Sequence, residues 1–286
     1  MEEKELEKYI RILEEHGQVK ADLYKNTLVP KTLYKYIYLS DNIDENEKKI
    51  NALENNQIWV SRYTNLNDPF EFGAMYIDDM KMKNEGCKND EIEITKLMYE
   101  KQKNLLRICS FSGIIQNMPM WAHYANNHKG FCVEYEVSDP KKIYPVIYTE
   151  TRQENHNLIV QMVKTFYNLN RQEERNDHHA MNAKTFDDAM KYISYIYLIN
   201  ATKNSSWSYE KEYRIIFAKS EPDKFNGELV RCNDCGIKAK RVYVGNSCNE
   251  KDTKRIKNIS KKIGLENSKK MCLKNGVTFE LDSCEI

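Results

Sequence analysis

The 286-residue chain lacks every short signature that would announce its chemistry. It has no GxxxxGK[ST] phosphate loop, no GxGxxG after a strand, no HExxH and no GxSxG, so nucleotide-loop, zinc-peptidase and serine-hydrolase chemistry find no anchor. No apolar run approaches the roughly 20 residues a spanning helix requires, and the mean hydropathy is -0.76. The N-terminus, MEEKELEKYIRILEEHG, has no basic-then-apolar secretory signal. A cytoplasmic protein with no membrane partner is therefore expected. Neither charge sign dominates: Lys+Arg 44 against Asp+Glu 43 gives a formal charge of +1. That argues against a general nucleic-acid coat or a polybasic membrane binder. Repeats and low-complexity linkers are also absent, and a chain this long can bury roughly 75% of its unfolded surface in one core, so one domain spanning 1–286 is expected.

Phenylalanine is scarce beside tyrosine, 9 against 19. Eight cysteines are present, but only Cys232 and Cys235 form a CxxC, no second pair follows, and no His lies beyond residue 179. A structural zinc needs four ligands, so reduced thiols and no metal are expected. Cys109 and Cys132 sit inside strand-like runs as small hydrophobes, while Cys87, Cys248, Cys272 and Cys284 have no partner visible in sequence.

Along the chain, Leu6, Tyr9, Ile10 and Leu13 recur at helical spacing, with Gly17 as C-cap. Strands are expected at 33–39, 57–63, 105–111, 130–137, 143–149, 213–218, 241–245 and 276–283. The segments 130–137 and 143–149, joined by the turn-rich SDPKK, form a hairpin pattern. Helices are expected after Asp41 or Asp44, at 89–104, after Pro119 and near 249–263. Residues 153–200 contain no Gly or Pro and read as two helices broken near RQEERNDHH, a helical insertion and candidate protein interface. Tyr167, Tyr192, Tyr195 and Tyr197 line it, and His178-His179 point in different directions and cannot chelate together. About eight strands interrupted irregularly by helices indicate an α+β fold with a mixed or mostly antiparallel sheet and flanking helices.

Three polar-aromatic clusters fall in loops at strand ends, where sites are usually built. The first is Asn67-Asp68-Pro69-Phe70-Glu71, either a capped turn or a pair of presented carboxylates. The second joins Ser110 and Ser112 to Trp121, His123 and Tyr124; there His123 is either an acid/base or a hydrogen-bonded structural histidine. In the third, Lys203, Trp207, Tyr209, Glu210, Glu212 and Arg214, alternation puts Glu210, Glu212 and Arg214 on one side of a strand start. Charges leading into an apolar strand suit a site or a buried ion pair.

LYKYIYL, IWVSRYTNLNDPFE, CSFS…MWAHYANNHKGFCVEYE and WSYEKEYRIIF, in that order across about 33–245, resemble a widespread bacterial family, DUF2971. Its name assigns no function. Residues 151–200 are the least family-like. A more distant likeness is to the ADP-ribosyltransferase fold, a split, mostly antiparallel sheet. There an early LY[HR]xT strand and following serine and aromatic residues hold NAD, and a late strand ends in [QE]xE. Here Tyr34-Lys35-Tyr36, Ser61 and Tyr63, and Glu210-Lys211-Glu212 stand at those places, with Lys35 where His or Arg is expected.

That likeness implies chemistry on NAD. Breaking the nicotinamide–ribose bond builds positive charge on the sugar, which Glu212, with Glu210 beside it, would stabilise. Arg214 or Lys35 would neutralise the pyrophosphate. Tyr36, Tyr63 or Trp207 would face the cationic nicotinamide, and His123 would orient ribose or acceptor. The expectation is transfer of ADP-ribose to a protein or nucleic-acid acceptor, or NAD hydrolysis, by a toxin or anti-phage effector. Two other readings stay open: a nucleotide- or protein-binding module, and a metal-dependent nuclease with Asp68, Glu71, Glu210 and Glu212 as hard oxygen ligands.

Overall fold

A computed structural model describes residues 1–152, 161, 164–165, 194–220 and 225–286. Two N-terminal helices come first, α1 (Glu3–His16) and α2 (Gln18–Thr27). The stripe Leu6, Tyr9, Ile10 and Leu13 is buried as its spacing requires, and Gly17 joins the helices at φ 79°, donating its N–H to the Leu13 carbonyl. Strand β1 (Thr32–Ile37) leads to α3 (Ile43–Glu54), then β2 (Gln57–Ser61). Asn42, not either neighbouring aspartate, caps α3: its side chain accepts from the Glu45 N–H. Short α4 (Asp79–Asn84), long α5 (Asn89–Leu105) and β3 (Leu106–Ser112) follow, then α6 (Met118–Tyr124) and β4 (Phe131–Val137). The second half holds β5 (Ile143–Pro145), β6 (Ile147–Thr149), β7 (Thr202–Asn204), β8 (Glu212–Ala218), β9 (Gly227–Arg231), β10 (Ile237–Val244), α7 (Glu250–Lys262), β11 (Lys269–Leu273) and β12 (Leu281–Glu285).

The strands build one ten-stranded sheet in the order β12-β11-β10-β4-β1-β3-β2-β9, with β8 on β3 and β5 on β8. Every pairing in it is antiparallel except β10 with β11. The α+β class with a mostly antiparallel sheet is thus the architecture observed. The expected hairpin is not. β4 lies between β1 and β10, and the expected strand 143–149 splits: β5 pairs β8, while β6 pairs β7 in a separate parallel ribbon. Buried apolar positions on β4 serve both its neighbours, and a turn-rich linker does not by itself choose a partner. The last strand also starts later than expected, because Val277 and Phe279 stand fully exposed on a projecting tip.

Two large apolar clusters flank the sheet. One packs α1, α5 and residues 195–201 beneath β3; the other places Ile50 and Leu53 of α3 and Ile256 and Ile259 of α7 under β1, β4 and β10. Most of the expected insertion 153–200, including His178, His179, Tyr167 and Tyr192, lies outside the described residues. Tyr195 is buried, and Tyr197, half-buried, packs against the same apolar cluster and meets Tyr144 edge-on at 5.9 Å. Among the described residues no helix is long and apolar enough to cross a membrane.

Candidate functional site

The sheet opens at β3. One edge of β3 is paired with β8 throughout, from Leu106↔Ala218 to Ser112↔Glu212. On the other edge, β1 reaches it only at Tyr34↔Ser112 and β2 only at Ser61↔Ile108. Between those two contacts the strands splay, and Cys109–Phe111 is left without a strand partner on that side. The notch is the mouth of a cavity of about 250 Å³ lined by β1, β2, β3, α6 and the start of β8.

All three sequence clusters converge there. Asn67 and Glu71 of the first, Ser110, Ser112 and Tyr124 of the second, and Lys203, Glu210, Glu212 and Arg214 of the third line one cavity. Local structure explains the delivery of each group. Asn117 caps α6, accepting from the Met120 N–H and donating to the Tyr209 carbonyl. Asn204 caps the 3-10 turn Ser205–Glu210, which ends in left-handed Lys211 at φ 46°. The Ser112 hydroxyl donates to the Glu210 carbonyl at 2.7 Å, and the Glu212 N–H to the Tyr148 hydroxyl at 2.8 Å. Alternation then turns Glu212 and Arg214 to the same side of β8.

At the cavity floor three carboxylates share two cations. The Arg214 guanidinium, wholly buried, donates to Glu212 Oε1 at 2.9 Å and Oε2 at 3.2 Å, to Glu71 Oε1, and to the Asn200 carbonyl at 3.0 Å. Lys203 bridges Glu210 at 2.7 Å and Glu212 at 2.9 Å. Tyr124 donates to Glu210 Oε1 and accepts from Asn67 at 2.7 Å. Burial raises carboxyl pKa values; against that pull Arg214 and Lys203 hold Glu212 down to about 2. For Glu210, burial and the neighbouring Glu212 outweigh Lys203, so its pKa lies above the usual carboxylate range. Glu71 is raised as well, by burial, despite Arg214, and its Oε2 has no hydrogen-bond partner.

Lys35, Tyr36 and Ser61 line the cavity as well. The Lys35 ammonium lies 3.4 Å from the Ser110 carbonyl on the unpaired edge of β3 and 5.4 Å from the Phe111 ring. Tyr36 is fixed by donating to the Ile114 and Ile115 carbonyls and by meeting Trp121 edge-on at 5.2 Å. Three expected site residues lie outside the lining. Tyr63 stacks on Phe72 at 5.3 Å. Trp207 sits 5.2 Å from the Lys203 ammonium, behind it. His123 is exposed on α6 beside Tyr209; one helical step further, Tyr124 turns inward in its place. Arg214 lines the cavity with its guanidinium already engaged by two carboxylates and a carbonyl, so an incoming pyrophosphate would have to displace them.

Residues 120–215 match the family model described as Protein of unknown function (DUF2971). The DUF2971 match includes Tyr124 and the whole Lys203–Arg214 set, and it runs through 151–200, the stretch expected to be least family-like. Lys35, Ser61 and Glu71 lie outside the matched residues. No curated protein and no solved structure matches the chain. Tyr124, Lys203 and Asn67 were not singled out as binding or catalytic groups by sequence, and Glu71 only as a metal ligand in the nuclease reading. Their signal is the pairing itself, since a buried tyrosine or lysine requires a polar partner, and the partners come from loops distant in sequence.

Proposed function

We propose that the cavity is the active site of an ADP-ribosyltransferase-like enzyme that cleaves the nicotinamide–ribose bond of NAD, passing ADP-ribose to an acceptor or to water. The observation that carries this reading is the charge balance of the cavity floor: three buried carboxylates against two buried cations, at the split of the sheet. Such a floor favours a ligand that is cationic or becomes so. In NAD the nicotinamide ring carries the positive charge. As its C–N bond breaks, the bonding pair leaves on the ring nitrogen and positive charge moves to the ribose. A preorganised carboxylate stabilises that state without reorganisation.

Within this reading the roles divide. Glu210, with only Lys203 and Tyr124 on its carboxylate, faces the developing charge. Glu212 serves as a positioning residue, because Arg214 and Lys203 occupy both its oxygens. Tyr34 and Tyr36 on β1 supply aromatic surface for the cationic ring, Lys35 supplies the phosphate partner, and Ser61 or Tyr124 can bind ribose hydroxyls. The acceptor's lone pair then attacks the ribose carbon, and the acceptor's proton leaves to solvent. An enzyme consuming NAD in the cytoplasm would act as a toxin or defence effector. The nuclease reading is disfavoured because Glu71, Glu210 and Glu212 are each committed to a cation, and among the described residues no cluster of His, Cys, Asp and Glu suits a metal.

The test is incubation of the full chain with NAD carrying labelled nicotinamide, with protein and nucleic-acid acceptors supplied. Release by the native chain and a loss of at least a hundredfold in Glu210→Gln are expected, with the melting temperature of the variant preserved. Absence of release from the native chain under all acceptors refutes the enzyme reading and leaves a binding module.

A further inference from the structure

A second cavity, about 480 Å³, opens between β1, α3, β2 and β9. Its floor is apolar, from Ile37, Leu53 and Ile58. One wall is Trp59, which remains 50% exposed although large apolar side chains are usually covered. Gly227 explains the position of that indole. A Cβ there would lie 2.5 Å from the Trp59 ring and 2.4 Å from the Val60 carbonyl, so the ring rests directly on the backbone of β9. At the rim stand Lys48 and Lys49; Lys49 donates to the Tyr38 carbonyl at 2.9 Å, and among the described residues neither amine is ion-paired with a carboxylate. Lys35, Tyr36 and Trp59 border both this groove and the acidic cavity. The two are therefore adjacent openings of the one notch between β1 and β2.

We propose that this groove binds the base and phosphate of a purine nucleotide, as the far half of the dinucleotide whose glycosidic bond lies over Glu210. The inference rests on the proposed reaction at the acidic cavity and adds the placement of the other half. Charge sorts the two ends. The acidic floor repels phosphate and accepts the cationic ring. The groove offers three lysines, Lys35, Lys48 and Lys49, against the single carboxylate of Glu45, which suits an anion. A planar base can stack on the open face of Trp59, an interaction worth roughly 1–3 kcal/mol per base. Lys48 and Lys49 act as point charges for a phosphate. Lys35, at the junction, reaches toward the bridging phosphates from either side.

Calorimetric titration of the full chain separates the halves, with adenosine monophosphate and nicotinamide mononucleotide as separate probes. Both should bind the native protein. The double variant Lys48→Glu/Lys49→Glu, and separately Trp59→Ala, should weaken adenosine monophosphate at least tenfold. In the Lys48→Glu/Lys49→Glu variant, whose altered side chains line the groove and not the acidic cavity, binding of nicotinamide mononucleotide should stay within twofold, which also reports that this variant is folded; circular dichroism reports the fold of Trp59→Ala. If nicotinamide mononucleotide binds and adenosine monophosphate does not, the groove assignment is wrong and the reaction assignment stands. If adenosine monophosphate binds with the stated sensitivity and nicotinamide mononucleotide does not, the groove is a nucleotide site and the reaction assignment fails. Binding of neither overturns both.

Discussion

Glu212→Gln should destabilise this protein far more than Glu210→Gln, although the two carboxylates lie side by side on Lys203. The difference follows from what each oxygen faces. Each oxygen of Glu212 accepts from a cation, Oε1 from Arg214 and Oε2 from Arg214 and Lys203, with the Ser110 hydroxyl as a further partner of the carboxylate. A glutamine there must turn its NH₂ toward one of these donors, and neither can reverse its role. In Glu210 one oxygen faces Lys203 and the other a hydroxyl, that of Tyr124. A hydroxyl can accept as well as donate, so a glutamine carbonyl kept on Lys203 with its NH₂ turned to Tyr124 leaves only the O–H of half-buried Tyr124 to find a new acceptor. Breaking a buried ion pair from one side costs about 3–5 kcal/mol. The proton affinity of Glu212 leads to a similar size by a separate route. A carboxyl held at about 2 rather than the ordinary 4.5 contributes about 3 kcal/mol at neutral pH. For a chain of this size that is a fall in melting temperature of roughly 6–20 °C, against about 1 kcal/mol or less for Glu210→Gln. The pH dependence carries its own sign. Glu212 has a depressed pKa, so its contribution is complete above pH 4.5 and lost as pH falls toward 2; the gap between native and Glu212→Gln should close over that interval. Glu210 has a raised pKa, so its ionisation costs stability as pH rises from 4.5 through its folded value, and Glu210→Gln should remove that slope. Thermal melts by circular dichroism between pH 3 and 8 read both. Glu212→Gln melting within 2 °C of the native chain at pH 7 would refute the ion-network account.

Two further expectations test the frame around the site. Lys25 is buried beneath α2, donating to the carbonyls of Pro140, Lys141 and Ile143, and burial lowers its pKa to about 8. Lys25→Met should cost about 2–4 kcal/mol in chemical denaturation by leaving those carbonyls unmet. Because the folded state releases this proton first, stability of the native chain relative to the variant should rise from about pH 8 to 10.5. Of the eight free cysteines only Cys284 is exposed and Cys272 half-buried, their sulfurs 2.9 Å apart across β11 and β12. A chromogenic thiol reagent should therefore titrate two thiols rapidly in the native protein and eight after denaturation. Rapid reaction of a third would contradict the burial of the other six.

Much of the fold was legible because it rests on local patterns. The α1 stripe with its Gly17 stop and the strands that hold Cys109 and Cys132 follow from local spacing alone. Partner choice was not legible. β4 and β5 are neighbours in sequence and strangers in the sheet, since pairing depends on which apolar face each edge can cover. The Cys272–Cys284 proximity was hidden for the same reason, as it exists only through the register of β11 on β12. At the site, the three clusters were visible as clusters, and the alternation of Glu212 and Arg214 gave their shared face. The exchange of His123 for Tyr124 was not visible, because one residue is 100° of helix and the cap at Asn117 sets that phase. Nor was the burial of Arg214 under Glu71, a contact made between residues far apart in the chain.

The pairing order of the sheet also sets a timetable for synthesis. β2 cannot find its edge partner until β9 emerges, with Gln57 opposite Arg231, roughly 170 residues later. At about 5–20 residues per second that is about 10–35 s of translation. β1 waits for β4, and β4 in turn for β10, Phe131 lying opposite Val244. Both walls of the notch are thus held from outside by strands made late. A ribosome-bound fragment ending before residue 227 would carry Glu210, Glu212 and Lys203 with no fixed cleft around them. Completion of the chain, not the appearance of its acidic residues, is the event that assembles the site.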